Sequence, residues 1–236
     1  MDAPDPAARI EFDIDDVSVD HDRGGRLQAE HLVSRGHRRV ALANSTDGPF
    51  AVVNQRIKGL ENGLLEAGCD RPARMNLPAP ANTTRNWTQQ DFDRIRDFLR
   101  AHHGKIDAVA AVGDTLGLTV MAVALQMGLR VPEHLAIIGY DGIDATNNPL
   151  LSLTTIATPH AESGRKAFER LQDRIDHRGE PWACRRITCE PRLIVRRSTV
   201  GPQARVLRRS DTGTDTPLIS QDPAHRSDKL PACRNA

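Results

Sequence analysis

Short apolar segments alternate with longer amphipathic segments along most of this chain, and this alternation limits its possible folds more than any other feature. The short segments are mostly apolar at successive positions, as expected of parallel strands that helices cover on both faces. We predict such strands at 39–43, 106–112, 135–140 and 154–157. Because strands that alternate with helices form right-handed βαβ units, we predict an α/β fold with a parallel sheet and helices on both faces.

Hydrophobic residues that recur every three or four positions predict the helices between these strands. The helix predicted over 52–67 ends before Gly68, and an earlier one, 24–35, ends before Gly36. Glycine favours the left-handed backbone that commonly closes a helix. A helix predicted over 115–127 follows Asp114, whose side chain is well placed to cap it. Further helices are predicted around 92–99 and over 161–175.

The remaining stretches lack a helical period. Residues 1–16 are polar and acidic and are predicted to form an irregular N-terminus, and 70–86, rich in Pro, Asn and Thr, an irregular connection. Two short extended runs are predicted around Pro191. From Gly201 onward polar residues and prolines follow one another without a period, so we predict a disordered tail over 201–236.

Composition excludes several classes of protein. The formal net charge of +1 gives no argument for nucleic-acid binding by this chain. No stretch approaches the roughly 20 apolar residues of a membrane span, and the N-terminus lacks the pattern of a secretory signal. We therefore expect a cytoplasmic protein without membrane contact. The four cysteines have no metal-ligand spacing and are expected to be free thiols.

Catalytic motifs are absent from the sequence. It contains no GxSxG nucleophile elbow, no Walker A loop, no GxGxxG after a strand and no HExxH pair. We accordingly expect no enzymatic activity, no catalytic residue, no metal and no cofactor.

Polar residues follow three of the predicted strands, at Asn44 to Gly48, Gly113-Asp114 and Asp141-Gly142. In open parallel sheets, ligands bind beyond the carboxyl ends of the strands. Arg56, on the first turns of the helix after the first strand, can reach the same edge. An Arg and an Asp facing one cleft suit a polyhydroxylated ligand, because Arg donates hydrogen bonds and Asp accepts them. Two alternatives stay open: Arg56 and Asp141 pair with each other, or Asp141 caps a helix.

Several short motifs occur in a fixed order over about 17–199. They are Val17-Ser18-Val19-Asp20-His21, His31-Leu32, Gly36-His37-Arg38-Arg39-Val40, Arg56-Ile57-Lys58-Gly59-Leu60, Gly113-Asp114, Gly128-Leu129-Arg130-Val131-Pro132, Ile138-Gly139-Tyr140-Asp141, Leu153-Thr154-Thr155-Ile156 with Pro159, and Arg196-Arg197-Ser198-Thr199. Together they resemble the LacI/GalR family of bacterial transcription regulators, in its C-terminal effector-sensing part.

The resemblance implies a periplasmic-binding-protein-like sensor of two subdomains with an effector in the cleft between them. Residues 38–157 and 190–199 would form a nearly complete C-terminal subdomain. Residues 17–37 and 158–189 would form part of the N-terminal subdomain. Nothing upstream of Val17 resembles the family's helix-turn-helix, so DNA binding is expected only through a segment that this sequence lacks.

By matching motif positions, the resemblance implies that Arg56 and Asp141 contact the effector. Trp87 stands where the family often places an aromatic residue that stacks on the ligand, and a sugar ring stacks well on such a face. Asp20 would lie near the cleft on the other subdomain. Asp114 belongs to a pair that is usually Asn-Asp, and Gly113 removes the amide partner. His21 and Gly142 also depart from the residues usual in the family.

The helix over 115–127 is apolar on more faces than one sheet contact can bury, which favours a homodimer; burial within the chain is the alternative. The favoured function is a sensor that binds a sugar-like effector and controls DNA binding by a longer protein. A sugar-binding protein of the same fold and an inactive truncated remnant are the other interpretations.

Overall fold

The computed structural model of the protein describes residues 14–44, 51–78, 87–179 and 183–200. The predicted tail, 201–236, and most of the predicted irregular N-terminus lie outside these ranges. In chain order the elements are β1 (Asp16–Val19), α1 (His21–Ser34), β2 (Val40–Asn44), α2 (Ala51–Glu66), β3 (Ala73–Asn76), α3 (Gln89–Ala101), β4 (Ala108–Ala111), α4 (Asp114–Gln126), β5 (Ala136–Asp141), a short 3₁₀ helix (Asp144–Asn147), β6 (Thr154–Ala157), α5 (His160–Asp176), β7 (Arg186–Cys189), β8 (Arg192–Ile194) and α6 (Arg197–Val200).

Six strands form the main sheet, in the order β3-β2-β4-β5-β6-β8. All neighbours are parallel except β8, which runs antiparallel to β6. The strands predicted from apolar segments lie at its centre, and every residue of β2 and β4 is buried. The predicted α/β fold with a parallel sheet is confirmed, except that the edge strand β8 is antiparallel. The central strands are apolar without alternation because they are buried on both faces.

Glycines let α1 and α2 pack closely together. A Cβ on Gly25 would lie 2.1 Å from the backbone oxygen of Arg56, and one on Gly59 would lie 2.0 Å from that of Asp22. This close packing fixes the start of α1 beside the first turns of α2, and so brings His21 near Arg56.

The strands β1 and β7 form a separate two-stranded parallel sheet. Helix α5 packs against both strands. Its Arg170 is buried and donates to Asp15 at 2.9 Å, which holds the helix to the segment that enters β1. Within the described residues, a six-stranded sheet is therefore accompanied by a smaller, two-stranded one.

Helix α1 packs with the main sheet. Its Ala29 and Leu32 are fully buried in the same cluster as the central strands. The amide nitrogen of buried Gln28 donates to the carbonyls of Ala111 and Gly139, at 3.1 and 2.9 Å. Helix α1 lies within 17–37, which was predicted to belong to the N-terminal subdomain. We propose instead a boundary before His21, because these contacts join α1 to β4 and β5.

One expectation from the sequence is corrected, and the argument for another changes. The stretch 70–86, expected to be irregular, contains the edge strand β3, in which only Met75 is buried. Helix α4 is buried largely by its own chain, with Leu116, Val120 and Val123 at most 3% exposed. The apolar faces of 115–127 were the argument for a homodimer. Most of them are buried within the chain, so this argument no longer holds, and the homodimer itself stays a prediction.

No helix in the described ranges has both the length and the apolar character needed to cross a membrane. Cys69 and Cys189 are buried free thiols.

Candidate ligand-binding site

The structure places Arg56 and Asp141 in direct contact. Arg56 Nη1 lies 2.8 Å from Asp141 Oδ1 and also donates to the carbonyl oxygen of Val112 at 2.7 Å. Its guanidinium carbon lies 3.9 Å from the centre of the Tyr140 ring, a cation–π contact. Of the alternatives left open by the sequence, pairing between the two residues is the one observed. The pair sits at the carboxyl ends of β4 and β5, where ligands bind in parallel sheets.

His21, the first residue of α1, contacts both Arg56 and Tyr140. Its Nδ1 lies 3.2 Å from the Tyr140 hydroxyl and accepts from Arg56 Nε at 3.4 Å. Burial, and then the charge of Arg56, lowers the pKa of His21 to about 4. The imidazole is therefore neutral near pH 7, with Nδ1 as the acceptor and Nε2 left as the donor.

Asp141 has an uncommon backbone conformation. Its φ is 112°, a left-handed value that costs energy for a residue with a side chain, and Gly142 follows with φ 79°. Its carbonyl accepts from the amide and the hydroxyl of Thr158, at 3.2 and 3.0 Å. Burial raises the pKa of the Asp141 carboxyl, and Arg56 opposes that shift. Gly113 leaves room for the Asp141 carboxylate, because a Cβ at residue 113 would lie only 3.2 Å from Asp141 Oδ2.

The prediction that Asp114 caps a helix is wrong. The N-cap of α4 is Gly113, and Asp114 is the first helical residue. Its fully buried carboxylate accepts from the amides of Gly142 and Ile143, at 2.6 and 2.9 Å. It also accepts from the hydroxyl of Thr155 at 2.6 Å. In the sequence, an Asp that caps a helix cannot be distinguished from one that is the first helical residue. The donors that bind this carboxylate instead, on Gly142, Ile143 and Thr155, come close to it only in the folded protein.

Asp20 and Trp87 stand apart from the Arg56–Asp141 pair. The Asp20 side chain caps α1 by accepting from the amide of Arg23 at 2.8 Å. It borders an open cavity of about 1000 Å³ between α1, α2, α5 and the two-stranded sheet, together with His21 and His160. Trp87 is half-buried, immediately before the N-cap of α3, and packs against the main core. Its predicted contact with a ligand stays a prediction.

Sequence reasoning missed the contacts that connect these residues. Tyr140 is fully buried, and its contact with His21 spans 119 positions. Thr155 was placed only in a predicted strand and a motif of the resemblance, and Thr158 was not singled out. Of the predicted set, the structure brings Arg56 and Asp141 together and places Asp114 against the loop that follows Asp141.

A mostly parallel sheet with a charged pair at its strand ends, next to a cavity that borders a second sheet and His21, is typical of one class of protein. It is a ligand-binding domain of the periplasmic-binding-protein-like type, in which ligands occupy a cleft beside the strand ends. The chain belongs to the periplasmic binding protein-like domain family, whose model matches residues 29–199.

The chain is similar in sequence to bacterial transcription regulators. The regulator CelR of Thermobifida fusca is 30% identical over 77% of this chain and 51% of its own length. The repressor PurR of Photorhabdus laumondii is 32% identical over 80% of this chain and 54% of its own length. The chain thus spans about half the length of the curated relatives it matches. The resemblance to LacI-type regulators is confirmed.

Solved structures agree with this assignment. A complex of the regulator CelR with cellobiose superposes with a TM-score of 0.65 at 29% identity, over 82% of this chain and 56% of that one. A LacI-family regulator from Enterococcus faecium with bound ribose gives a TM-score of 0.63 at 30% identity, over 78% and 65%.

Proposed function

We propose that this chain is the effector-sensing domain of a LacI-type transcription regulator and binds a small, uncharged, polyhydroxylated metabolite. The observation that carries the proposal is the Arg56–Asp141 pair at the strand ends, held by Val112, Tyr140 and His21. The bound cellobiose and ribose in the two solved relatives support a sugar as the ligand class.

The pair offers both kinds of hydrogen-bonding group to a hydroxylated ligand. A guanidinium has five N–H donors, and the contacts of Arg56 within the described ranges use three of them. The Asp141 carboxylate, with its side chain 35% exposed, has lone pairs left to accept from hydroxyls. Because the two charges neutralise each other and His21 is neutral, an uncharged ligand fits the pair better than an anion or a cation.

Asp20 and Trp87 complete the proposed site, Asp20 from the two-stranded-sheet side of the cavity and Trp87 as a stacking face. Asp114 supports the site from beneath. In this proposal, ligand binding changes the angle between the two subdomains and thereby controls DNA binding by a longer protein in the cytoplasm. No cofactor takes part.

A homodimer is part of the proposal, now on a different observation. Leu150 is 84% exposed and Leu125, at the end of α4, is 46% exposed. Both border a small cavity of about 190 Å³ with Met121 and Val131. Exposed apolar residues grouped in this way are typical of an interface between subunits.

A thermal-shift screen tests the ligand class. The protein is heated with D-ribose, cellobiose, other pentoses and hexoses, sugar alcohols and purines, because a ligand that binds only the folded state raises Tm. We expect a sugar or sugar alcohol to raise Tm in a concentration-dependent way. A rise with a purine alone would contradict the proposed ligand class.

A further inference from the structure

The loop after β5 adopts a conformation that its own residues do not favour. Asp141 has φ 112° and Gly142 φ 79°. A non-glycine residue in such a region costs about 1–3 kcal/mol and persists only where surrounding contacts hold it. Two of these contacts come from Thr158, which donates to the Asp141 carbonyl.

The other contacts come from Asp114. One carboxylate oxygen, Oδ2, accepts from two successive amides, Gly142 at 2.6 Å and Ile143 at 2.9 Å. Oδ1 accepts from Thr155 on β6 at 2.6 Å. The carboxylate therefore ties the strained loop to the neighbouring strand. Hydrogen bonds to an ionised acceptor are about twice as strong as neutral ones.

The strand beside Asp114 leaves space for this carboxylate. A Cβ on Gly139 would lie 2.2 Å from Asp114 Oδ1. Any other residue at 139 would displace the carboxylate, so β5 carries a glycine at the point where Asp114 reaches across it.

We infer that Asp114 is a positioning residue for the ligand site: it holds the backbone of Asp141 and Gly142 in the left-handed conformation that directs the Asp141 carboxylate at Arg56. It does this without touching the ligand, because its side chain is fully buried and both oxygens accept hydrogen bonds from the protein. The inference deepens the proposed function and rests on it for the role of Asp141, while the backbone effect is measurable without any ligand.

Solution NMR on the isotope-labelled protein tests the backbone effect. The coupling between the amide and α protons of Asp141 reports its φ, and the amide shifts of Gly142 and Ile143 report the hydrogen bonds. In Asp114→Ala we expect the Asp141 coupling to change to a right-handed or extended value. In Asp114→Asn, whose amide oxygen can still accept from both backbone amides, we expect the coupling to remain and both amide protons to move upfield. Thr155→Val, which removes only the Oδ1 partner, is the matched control and should leave the coupling unchanged.

A stability comparison gives a second readout that loss of packing alone would not produce. At a left-handed φ, Asp141→Gly should have a higher Tm than Asp141→Ala, because glycine relieves the strain. When each variant is combined with Asp114→Ala, Asp141→Gly should instead have the lower Tm. The loop has then relaxed, and the remaining effect of glycine is to raise the conformational entropy of the unfolded chain. If Asp114→Ala does not fold, the same comparison in Asp114→Asn decides: because a neutral amide oxygen holds the loop less strongly than a carboxylate, the advantage of glycine over alanine should be smaller than it is with Asp114 present.

An Asp141 coupling that stays the same in Asp114→Ala, or that changes equally in Thr155→Val, would overturn the inference. So would a glycine advantage that is independent of residue 114. Titration with D-ribose tests the ligand role separately. If the Asp141 coupling changes as expected in Asp114→Ala but the affinity for ribose does not fall, the positioning of the backbone stands and the proposed ligand role of Asp141 fails.

Discussion

Arg56 and Asp141 form an ion pair of 2.8 Å between the first turns of α2 and the end of β5. Their side chains are 12% and 35% exposed, so the pair is largely shielded from solvent and Asp141 stays partly accessible. The Val112 carbonyl and the Tyr140 ring hold the guanidinium in one orientation. A ligand that binds there meets a preorganised group and loses little affinity to ordering it.

Gly24 is predicted to be required for the packing of Tyr140. A Cβ at this position would lie 1.9 Å from the Tyr140 hydroxyl oxygen, and Tyr140 is fully buried and has no room to move. Gly24→Ala should therefore destabilise the protein by about 1–3 kcal/mol, the usual cost of overpacking. Urea unfolding measures the change. Gly164→Ala on α5 is the control, because a Cβ there meets nothing within 4 Å. Equal stability of Gly24→Ala and the wild type would refute this account of how Tyr140 packs against Gly24.

His31 is predicted to make folding stability depend on pH. It is 6% exposed, and burial lowers its pKa from 6.5 to about 4, with Arg35 and His37 contributing. Between these values the unfolded state binds more protons, so the stabilising effect is complete above pH 6.5 and is lost as the pH falls towards 4. His31→Gln still offers Thr199 a hydrogen-bonding partner but cannot titrate. The difference in unfolding free energy between wild type and His31→Gln should change by about 2 kcal/mol between pH 7 and 4.5. Parallel pH curves for the two proteins would contradict it.

Much of the fold was predictable because the decisive signals are local. A buried strand such as 135–140 and an amphipathic helix such as 52–67 show their period in the sequence itself. The edge strand at 73–76 was missed because it is short and buries only Met75. A strand with one buried residue has no period to detect.

The candidate site was only partly predictable. Arg56 and Asp141 could be found, because both follow strands whose carboxyl ends must share one edge. The role of Asp114 could not, since its partners Gly142 and Ile143 come from another loop. The same holds for His21, whose contact with Tyr140 exists only after α1 has packed on the main sheet.

The proposed dimer surface can be tested with one charge. Leu150→Asp places a carboxylate on the most exposed apolar residue of the patch. Burying that charge in an interface would be unfavourable, so we expect sedimentation to show a monomer where the wild type is a dimer. Leu171→Asp is the control, because Leu171 is also exposed but lies on α5. A dimer that survives Leu150→Asp, or that only Leu171→Asp disrupts, would place the interface elsewhere.

The central claim is that Arg56 and Asp141 hold a polyhydroxylated effector, and isothermal titration calorimetry with the best sugar from the thermal-shift screen tests it most directly. Truncating either residue leaves ligand hydroxyls without a partner, which costs about 1–3 kcal/mol. We therefore predict that Arg56→Ala and Asp141→Ala each raise Kd by about 5- to 150-fold. Arg38→Ala, which removes an exposed arginine bonded to the Ala67 carbonyl, should leave Kd unchanged. A sugar whose Kd is the same in the wild type, Arg56→Ala and Asp141→Ala would contradict the assignment of this site.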